Sequence, residues 1–196
     1  SHYRENMERL AAFMRYRNIP PALQRRLNDY YAYLWENRLG YDESAVLADL
    51  PDSLRIEVAI FLRRDFIERT PLFQGASHEL VRDMALQLRP AVFTPGDFIF
   101  RAGQYGHNIY FISRGTVEII ASDGITVMTT LTDGQFFGEL ALLFSQPRTA
   151  SVRAVDYCDL YTLDKDSFDH VLANYPEFAA HIKEVAEGRN VQPTQA

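Results

Sequence analysis

The chain has 196 residues, of which 47% are hydrophobic and 23% are charged, and its formal net charge is −6. That length accommodates one ordinary domain with a helical appendage, and the composition is typical of a globular protein and excludes a disordered one. The negative charge balance speaks against nucleic acid as a general partner.

Signals for catalysis and for metal binding are missing from the sequence. It contains no nucleophile elbow, Walker loop or dinucleotide fingerprint. The five histidines, at positions 2, 78, 107, 170 and 181, lack the paired spacing of metal ligands. The single cysteine, Cys158, excludes an intrachain disulfide and favours a reducing compartment. We therefore predict a protein that is not an enzyme.

The N-terminal segment predicts two helices separated by a pair of prolines. Residues 3–17 place apolar side chains on one face at helical spacing. Pro20 and Pro21 end this helix and start a second one. The apolar face of the second helix carries Leu23, Leu27, Tyr30, Tyr31 and Leu34. The second helix also carries the aromatic group Tyr30, Tyr31, Tyr33 and Trp35. This group exceeds what a short helix pair can bury, so it predicts an interface with a partner.

Three further helices are predicted before the strands. Asp42 is placed to cap a short helix that ends at Ala48, and Pro51 suits the first turn of a fourth helix that runs to about Arg64. Ser77 is placed to cap the fifth helix. We expect the inward face of the fourth helix to consist of Leu54, Val58, Phe61 and Leu62.

From residue 91 the pattern changes to short apolar runs separated by turn signals. We expect strands near residues 91–94, 98–100, 109–113, 116–121, 125–131, 150–155 and 158–163. The Asp123-Gly124 pair is a strong hairpin signal, whereas Gly103 and Gly106 flank a loop of uncertain role. Many short strands with glycine turns fit a jelly roll, whose interior can hold a ligand. The predicted fold class is therefore α+β, with N-terminal helices and a jelly roll.

Residues 136–151 contain the most informative motif of the chain. The run from Phe136 to Leu143 reads FFGELALL and is followed by Arg148-Thr149-Ala150-Ser151-Val152. Gly138 lets the backbone approach a ligand closely, and the next residues can open a short helix whose amides suit a phosphate. The Arg148 guanidinium can hold two oxygens of one anion, and the Glu139 carboxylate suits a sugar hydroxyl. The motif therefore predicts a site for a small nucleotide, unless it forms only a turn and a solvated charge.

This motif resembles the phosphate-binding cassette of cyclic-nucleotide-binding domains, most closely that of cyclic-nucleotide-gated and hyperpolarisation-activated channels. The resemblance implies that cAMP or cGMP is the ligand and that no other cofactor is needed. It implies that Arg148 and the backbone near Ala141 hold the cyclic phosphate and that Glu139 binds the ribose 2′-hydroxyl. The candidate ligand-binding residues are Leu131, Gly138, Glu139, Leu140, Ala141, Arg148, Thr149, Ala150 and Arg189.

The segments 13–20 and 23–31 and the acidic loop 41–43 are similar to the C-linker of the same channels. The resemblance implies a helical C-linker over residues 1–70 and a nucleotide-binding domain over residues 71–196. In that family the C-linker connects the pore-lining helix to the nucleotide domain and forms a fourfold ring. It therefore implies a homotetramer, a transmembrane pore domain of the same protein as a partner, and a position on the cytoplasmic side of a plasma or bacterial inner membrane.

The C-terminal part predicts a helix from Lys165 to Ala173 and, after the break at Tyr175-Pro176, a last helix over about 177–189. This last helix could cover the open face of the bound purine. By the resemblance, Arg189 lies where an arginine of this helix contacts the nucleotide. Gly188 and the Gln192-Pro193 pair depart from the family pattern, because they weaken or end the helix.

Two other classes of protein share such a binding domain. A transcription regulator of the catabolite-activator type would need a helix-turn-helix after the last helix. A kinase regulatory subunit normally carries two tandem nucleotide domains, whereas only one cassette is visible in this sequence. The helical N-terminal segment fits neither class.

Overall fold

The computed structural model describes residues 2–38 and 43–190, and the chain divides into two compact units between residues 49 and 50. The first unit contains α1 (His2–Tyr16), α2 (Pro21–Arg38) and α3 (Glu43–Ala48). The break between α1 and α2 confirms the prediction that Pro20 and Pro21 separate two helices. The predicted cap of α3, Asp42, lies outside the described residues.

The two long helices of the first unit are joined by an aromatic contact. The rings of Tyr3 and Trp35 stack with their centroids 4.4 Å apart, which brings the start of α1 to the end of α2. Other aromatic side chains of these helices remain at the surface, since Phe13 is 54% and Tyr16 83% exposed. The sequence predicts the surplus on α2, where Tyr30, Tyr33 and Trp35 are half-buried and Tyr31 is 37% exposed, so most of the exposed aromatic surface lies on α1 instead.

The second unit begins with α4 (Asp52–Arg69), a 3₁₀ turn (Pro71–Phe73) and α5 (His78–Gln87). The Ser77 hydroxyl accepts a hydrogen bond from the Leu80 amide at 3.2 Å, which confirms the predicted cap. Helix α4 continues past the predicted end near Arg64. Because α4 belongs to the same compact unit as the strands, the functional boundary between residues 70 and 71 stays a prediction.

The inward face predicted for α4 is wrong. Leu54 and Phe61, two of the residues expected inside, are 49% and 70% exposed. The buried residues of α4 are Ala59, Arg63, Phe66 and Ile67. Successive helical residues turn by about 100°, so Phe61 lies almost opposite Ala59. The buried face is set by the elements that pack against α4, which include α5, the 3₁₀ turn and aromatic residues of the strands.

The strands form two four-stranded antiparallel sheets, which confirms the predicted jelly roll and the α+β class. The first sheet has the order β1-β8-β3-β6 and the second the order β2-β7-β4-β5. Their bounds are β1 (Arg89–Phe93), β2 (Phe98–Phe100), β3 (Asn108–Arg114), β4 (Val117–Ile120), β5 (Val127–Leu131), β6 (Phe136–Phe137), β7 (Ser151–Ala154) and β8 (Cys158–Asp164). The sequence did not predict β6, because two residues are too few to show an alternation.

Three helices complete the second unit, namely α6 (Glu139–Leu143), α7 (Lys165–Asn174) and α8 (Pro176–Asn190). Two apolar cores hold the unit together. One lies between the helices and the first sheet and includes Phe66, Phe73, Phe111, Phe136, Leu142, Phe178 and Ile182. The other is formed by strand residues of both sheets and includes Ile112, Val117, Leu131, Phe137, Val152 and Leu160. Strand β6 contributes Phe136 to the first core and Phe137 to the second.

Candidate functional site

The turn between β6 and α6 is built around Gly138. Its backbone is left-handed, with φ of 88°, and Gly138 occupies the N-cap position of α6. A Cβ atom at this position would lie 2.9 Å from Arg148 Nη1 and 3.3 Å from the Asn108 carbonyl oxygen. Both the conformation and the space therefore require glycine. The sequence predicts that Gly138 lets a ligand approach the backbone closely, and in the structure the Arg148 side chain approaches the backbone at this position.

The Arg148 side chain is buried, with only 5% of the residue exposed. Its Nη1 donates to the Gly138 carbonyl and its Nη2 to the Asn108 carbonyl, both at 2.7 Å. The guanidinium carbon lies 3.9 Å from the centroid of the Phe100 ring. This geometry excludes the alternative that Arg148 is a solvated surface charge.

The third nitrogen of the Arg148 guanidinium, Nε, has different surroundings. Nε is buried and makes no hydrogen bond with the described residues. Burial lowers the pKa of Arg148, and Coulombic attraction to Tyr110 and Glu139 opposes that shift. Both direct hydrogen-bond partners of the guanidinium are neutral carbonyls, so its positive charge suits an anion that reaches the cassette.

Glu139, the first residue of α6, is also buried, with 1% exposed. Its Oε1 accepts a hydrogen bond from Arg189 Nη1 at 2.8 Å, and the same nitrogen donates to the Phe136 carbonyl at 2.8 Å. The Arg189 guanidinium carbon lies 4.9 Å from the centroid of the Phe136 ring. The last turn of α8 is therefore connected to the cassette by a buried carboxylate.

The other predicted site residues differ in their surroundings. Ala141 is buried on α6, and Leu140 and Ala150 are half-buried. The Thr149 side chain is exposed next to Arg148. Leu131 ends β5 and packs in the second core, which also contains Phe137.

Sequence reasoning missed the residues that surround the Arg148 guanidinium from outside the cassette. Asn108 supplies a carbonyl and Phe100 an aromatic face. Gly106 lies so close that a Cβ there would be 2.7 Å from the guanidinium carbon of Arg148 and 2.9 Å from Ala141 Cβ. The only sequence signal was the loop flanked by Gly103 and Gly106, to which no role could be assigned.

The apolar stripe of α8 packs in the first core. Phe178 and Ile182 are buried there, and Val185 packs against the same cluster, which includes Leu142 of α6. The stripe therefore anchors α8 on the second unit, and Arg189 is the residue that reaches Glu139. The predicted departure at Gln192-Pro193 lies outside the described residues.

The described residues also bear on three other features, namely a metal site, a membrane-spanning helix and a reactive thiol. Residues 2–38 and 43–190 contain no group of three or more His, Cys, Asp or Glu side chains that could hold a metal ion. Within the same ranges no helix is both long and apolar enough to cross a membrane. Cys158 is buried, and this burial, aided by Asp156, raises its pKa to about 12, so the thiol is unreactive.

Comparison with known proteins matches a family model described as cyclic nucleotide-binding domain to residues 90–175. The cyclic nucleotide-gated channel alpha-3 of Homo sapiens is 34% identical over 97% of this chain and 28% of its own length. The potassium/sodium hyperpolarization-activated cyclic nucleotide-gated channel 4 of Oryctolagus cuniculus is 37% identical over 95% of this chain and 16% of its own length. The chain thus spans less than a third of these relatives. It belongs to the cyclic nucleotide-binding domain family and is similar, over nearly its whole length, to the channels that carry this domain.

Proposed function

We propose that this chain binds cAMP or cGMP at the cassette and couples binding to the gating of a tetrameric cation channel. The observation that carries the proposal is the buried Arg148 guanidinium, which is fixed by two neutral carbonyls and whose Nε has no hydrogen-bond acceptor among the described residues. A cyclic phosphate carries one negative charge, and a single guanidinium can balance it. The relatives that match are ion channels, so the proposed role is binding rather than catalysis.

The other site residues have separate roles in this proposal. The backbone of Leu140 and Ala141 at the start of α6 faces the phosphate, beside Gly138 and Ala150. Glu139 accepts the ribose 2′-hydroxyl, because a carboxylate retains acceptor sites after pairing with Arg189. The apolar side chain of Leu131 and the hydroxyl of Thr149 contact the purine.

Coupling requires that the ligand favours one arrangement of α8 over another. The structure supports this step by a chain of aromatic contacts from α8 to α4. The Phe178 ring stacks on Phe73 of the 3₁₀ turn at 5.6 Å, and Phe73 meets Phe66 of α4 at 6.0 Å. A displacement of α8 would therefore move Phe73 and, through it, α4. We assign α4, together with the rest of residues 1–70, to a C-linker.

The remaining elements of the proposal follow the channel relatives. Residues 71–196 are the nucleotide-binding domain, and the C-linker forms a fourfold ring with three further copies. A transmembrane pore domain of the same protein receives the signal, and the described units lie on the cytoplasmic side of the membrane. Nucleic acid is not a proposed partner.

Calorimetric titration with cAMP and cGMP tests the binding step. We expect Arg148→Ala to weaken both ligands by about 2–5 kcal/mol, because a buried charge pair loses one partner. Arg82→Ala on α5, which removes a guanidinium far along the chain from the cassette, is the control for net charge. Unchanged cAMP affinity of Arg148→Ala would overturn the phosphate role.

The ribose role is tested in the same titration with 2′-deoxy-cAMP. The ligand that lacks the hydroxyl should bind more weakly to the unmodified chain, and Glu139→Gln should reduce that difference. If the unmodified chain binds both ligands equally well, Glu139 does not recognise the ribose.

A further inference from the structure

The loop between β2 and β3, residues 101–107, surrounds the backbone of Arg148. The Arg148 amide donates to the Gln104 carbonyl at 2.7 Å, and the Gly103 amide donates to the Arg148 carbonyl at 2.8 Å. Directly after this loop, the Asn108 carbonyl accepts from Arg148 Nη2 at 2.7 Å. The position of Arg148 therefore depends on a segment some 40 residues earlier in the chain.

Gly106 brings this loop against the guanidinium itself. A Cβ at Gly106 would lie 2.7 Å from Cζ and 2.9 Å from Nε of Arg148. Unlike Gly103, with φ of 88°, Gly106 does not have a left-handed backbone. Space alone, and not conformation, therefore requires glycine at position 106. The loop packs beside Nε, the donor that lacks an acceptor among the described residues.

The loop is held in this position by its own hydrogen bonds. Gln104 Oε1 accepts from the Arg101 amide at 2.9 Å, which closes the turn. The Ala102 amide donates to Ser151 Oγ at 2.9 Å, and Ser151 is a buried residue at the end of the cassette. The loop is thus tied to the cassette at Arg148 and at Ser151.

We propose that the 101–107 loop sets the position of the Arg148 guanidinium and thereby the affinity for the phosphate of the ligand, with Gly106 and Gln104 as positioning residues. The inference rests on the proposed function, because it concerns the same anion site. A methyl group at position 106 displaces the guanidinium from the carbonyls of Gly138 and Asn108. A displaced guanidinium loses the alignment that two-point recognition of a phosphate requires.

Titration of Gly106→Ala with cAMP is the central test. We expect the affinity to fall by about tenfold or more, the equivalent of one hydrogen bond to a charged group. Gly103→Ala is the matched control, since it strains the same loop while a Cβ there meets nothing within 4 Å. Equal weakening by both variants would overturn the inference, because loop strain alone would then explain the effect.

Repeating the Gly106→Ala titration in an Arg148→Lys chain distinguishes a direct effect on the guanidinium from a general disturbance of the fold. Lysine lacks the planar group that Gly106 contacts, so Gly106→Ala should change affinity little in an Arg148→Lys chain. An undiminished effect in that background would contradict the inference. If Arg148→Ala, which lacks both the charge and the donors, binds like the unmodified chain, the phosphate role fails. If only Gly106→Ala is without effect, the proposed function stands and the positioning role fails.

NMR provides a readout without ligand. The Nε–Hε signal of Arg148, identified by its loss in Arg148→Lys, should shift in Gly106→Ala and stay in place in Gly103→Ala. Should Gly106→Ala fail to melt cooperatively, Gln104→Ala replaces it, because this variant opens the turn without adding volume. Its affinity for cAMP should then fall several-fold while its melting temperature is retained, and an unchanged affinity would count against the inference.

Discussion

The Glu139 carboxylate and the Arg189 guanidinium form an ion pair at 2.8 Å although they lie 50 residues apart. The pair joins the first residue of α6 to the last turn of α8. The Glu139 side chain is 1% exposed and that of Arg189 29%, so the contact is shielded from water at the carboxylate. Through this hydrogen bond, the end of α8 is connected to a side chain of the cassette.

Removal of the cation should leave a buried carboxylate with one partner fewer. For Arg189→Ala we expect the free energy of unfolding to fall by about 1–3 kcal/mol, measured by urea denaturation. Lys183→Ala, on the exposed side of the same helix, is the matched control and should be neutral. In the double variant with Glu139→Gln the two losses should not add. Simple additivity would show that the pair contributes nothing beyond its separate residues.

Selectivity between the two nucleotides is expected to involve Thr149. Its hydroxyl can hydrogen-bond the guanine amino group, which adenine lacks. Thr149→Ala should weaken cGMP by about 0.5–1.5 kcal/mol and leave cAMP unchanged in calorimetric titration. Thr130→Ala, an exposed threonine on β5, serves as the control. An equal loss for both ligands would refute the selective role.

The buried thiol predicts a dependence of stability on alkaline pH. The pKa of Cys158 is raised from 9.0 to about 12, chiefly by burial. The unfolded chain therefore ionises this thiol first, and its contribution to stability, complete below pH 9, is lost as the pH rises toward 12. Urea denaturation across this range should show a fall in stability that is smaller in Cys158→Ala. An equally steep fall in that variant would assign the effect to other groups.

Assembly is expected to depend on the first unit. Phe13 and Tyr16 are more than half exposed on α1, and such surface usually marks an interface. Sedimentation should show a mass that rises with concentration toward four subunits, more readily with cAMP. Removal of residues 1–49 should abolish assembly and leave cAMP binding measurable.

The matched variants Phe13→Ser and Tyr16→Ser should weaken assembly without lowering the melting temperature, because these side chains are exposed. A concentration-independent twofold dimer would instead favour a transcription regulator, and assembly that survives without residues 1–49 would remove the C-linker from the interface.

Signals confined to a few consecutive residues determined most of the secondary structure in advance. The proline pair, the Ser77 cap and the Asp123-Gly124 hairpin each act within one turn of the chain, so no distant contact can easily override them. The prediction of the buried face of α4 was wrong because apolar residues such as Phe61 lie on more than one side of that helix. Which side is buried depends on α5, the 3₁₀ turn and the strands that Phe66 contacts, and those contacts are not local.

The sequence by itself determined the chemistry of the candidate site, since a glycine, a carboxylate and a guanidinium at the spacing of Gly138, Glu139 and Arg148 occur in one continuous motif. Only the tertiary structure decided what these groups contact. Arg148 is held by Asn108 and closely packed by Gly106, and Glu139 is paired with Arg189. Pairing of the strands and packing of α8 bring these partners together from distant parts of the chain. The spacing of residues within a motif does not predict such contacts.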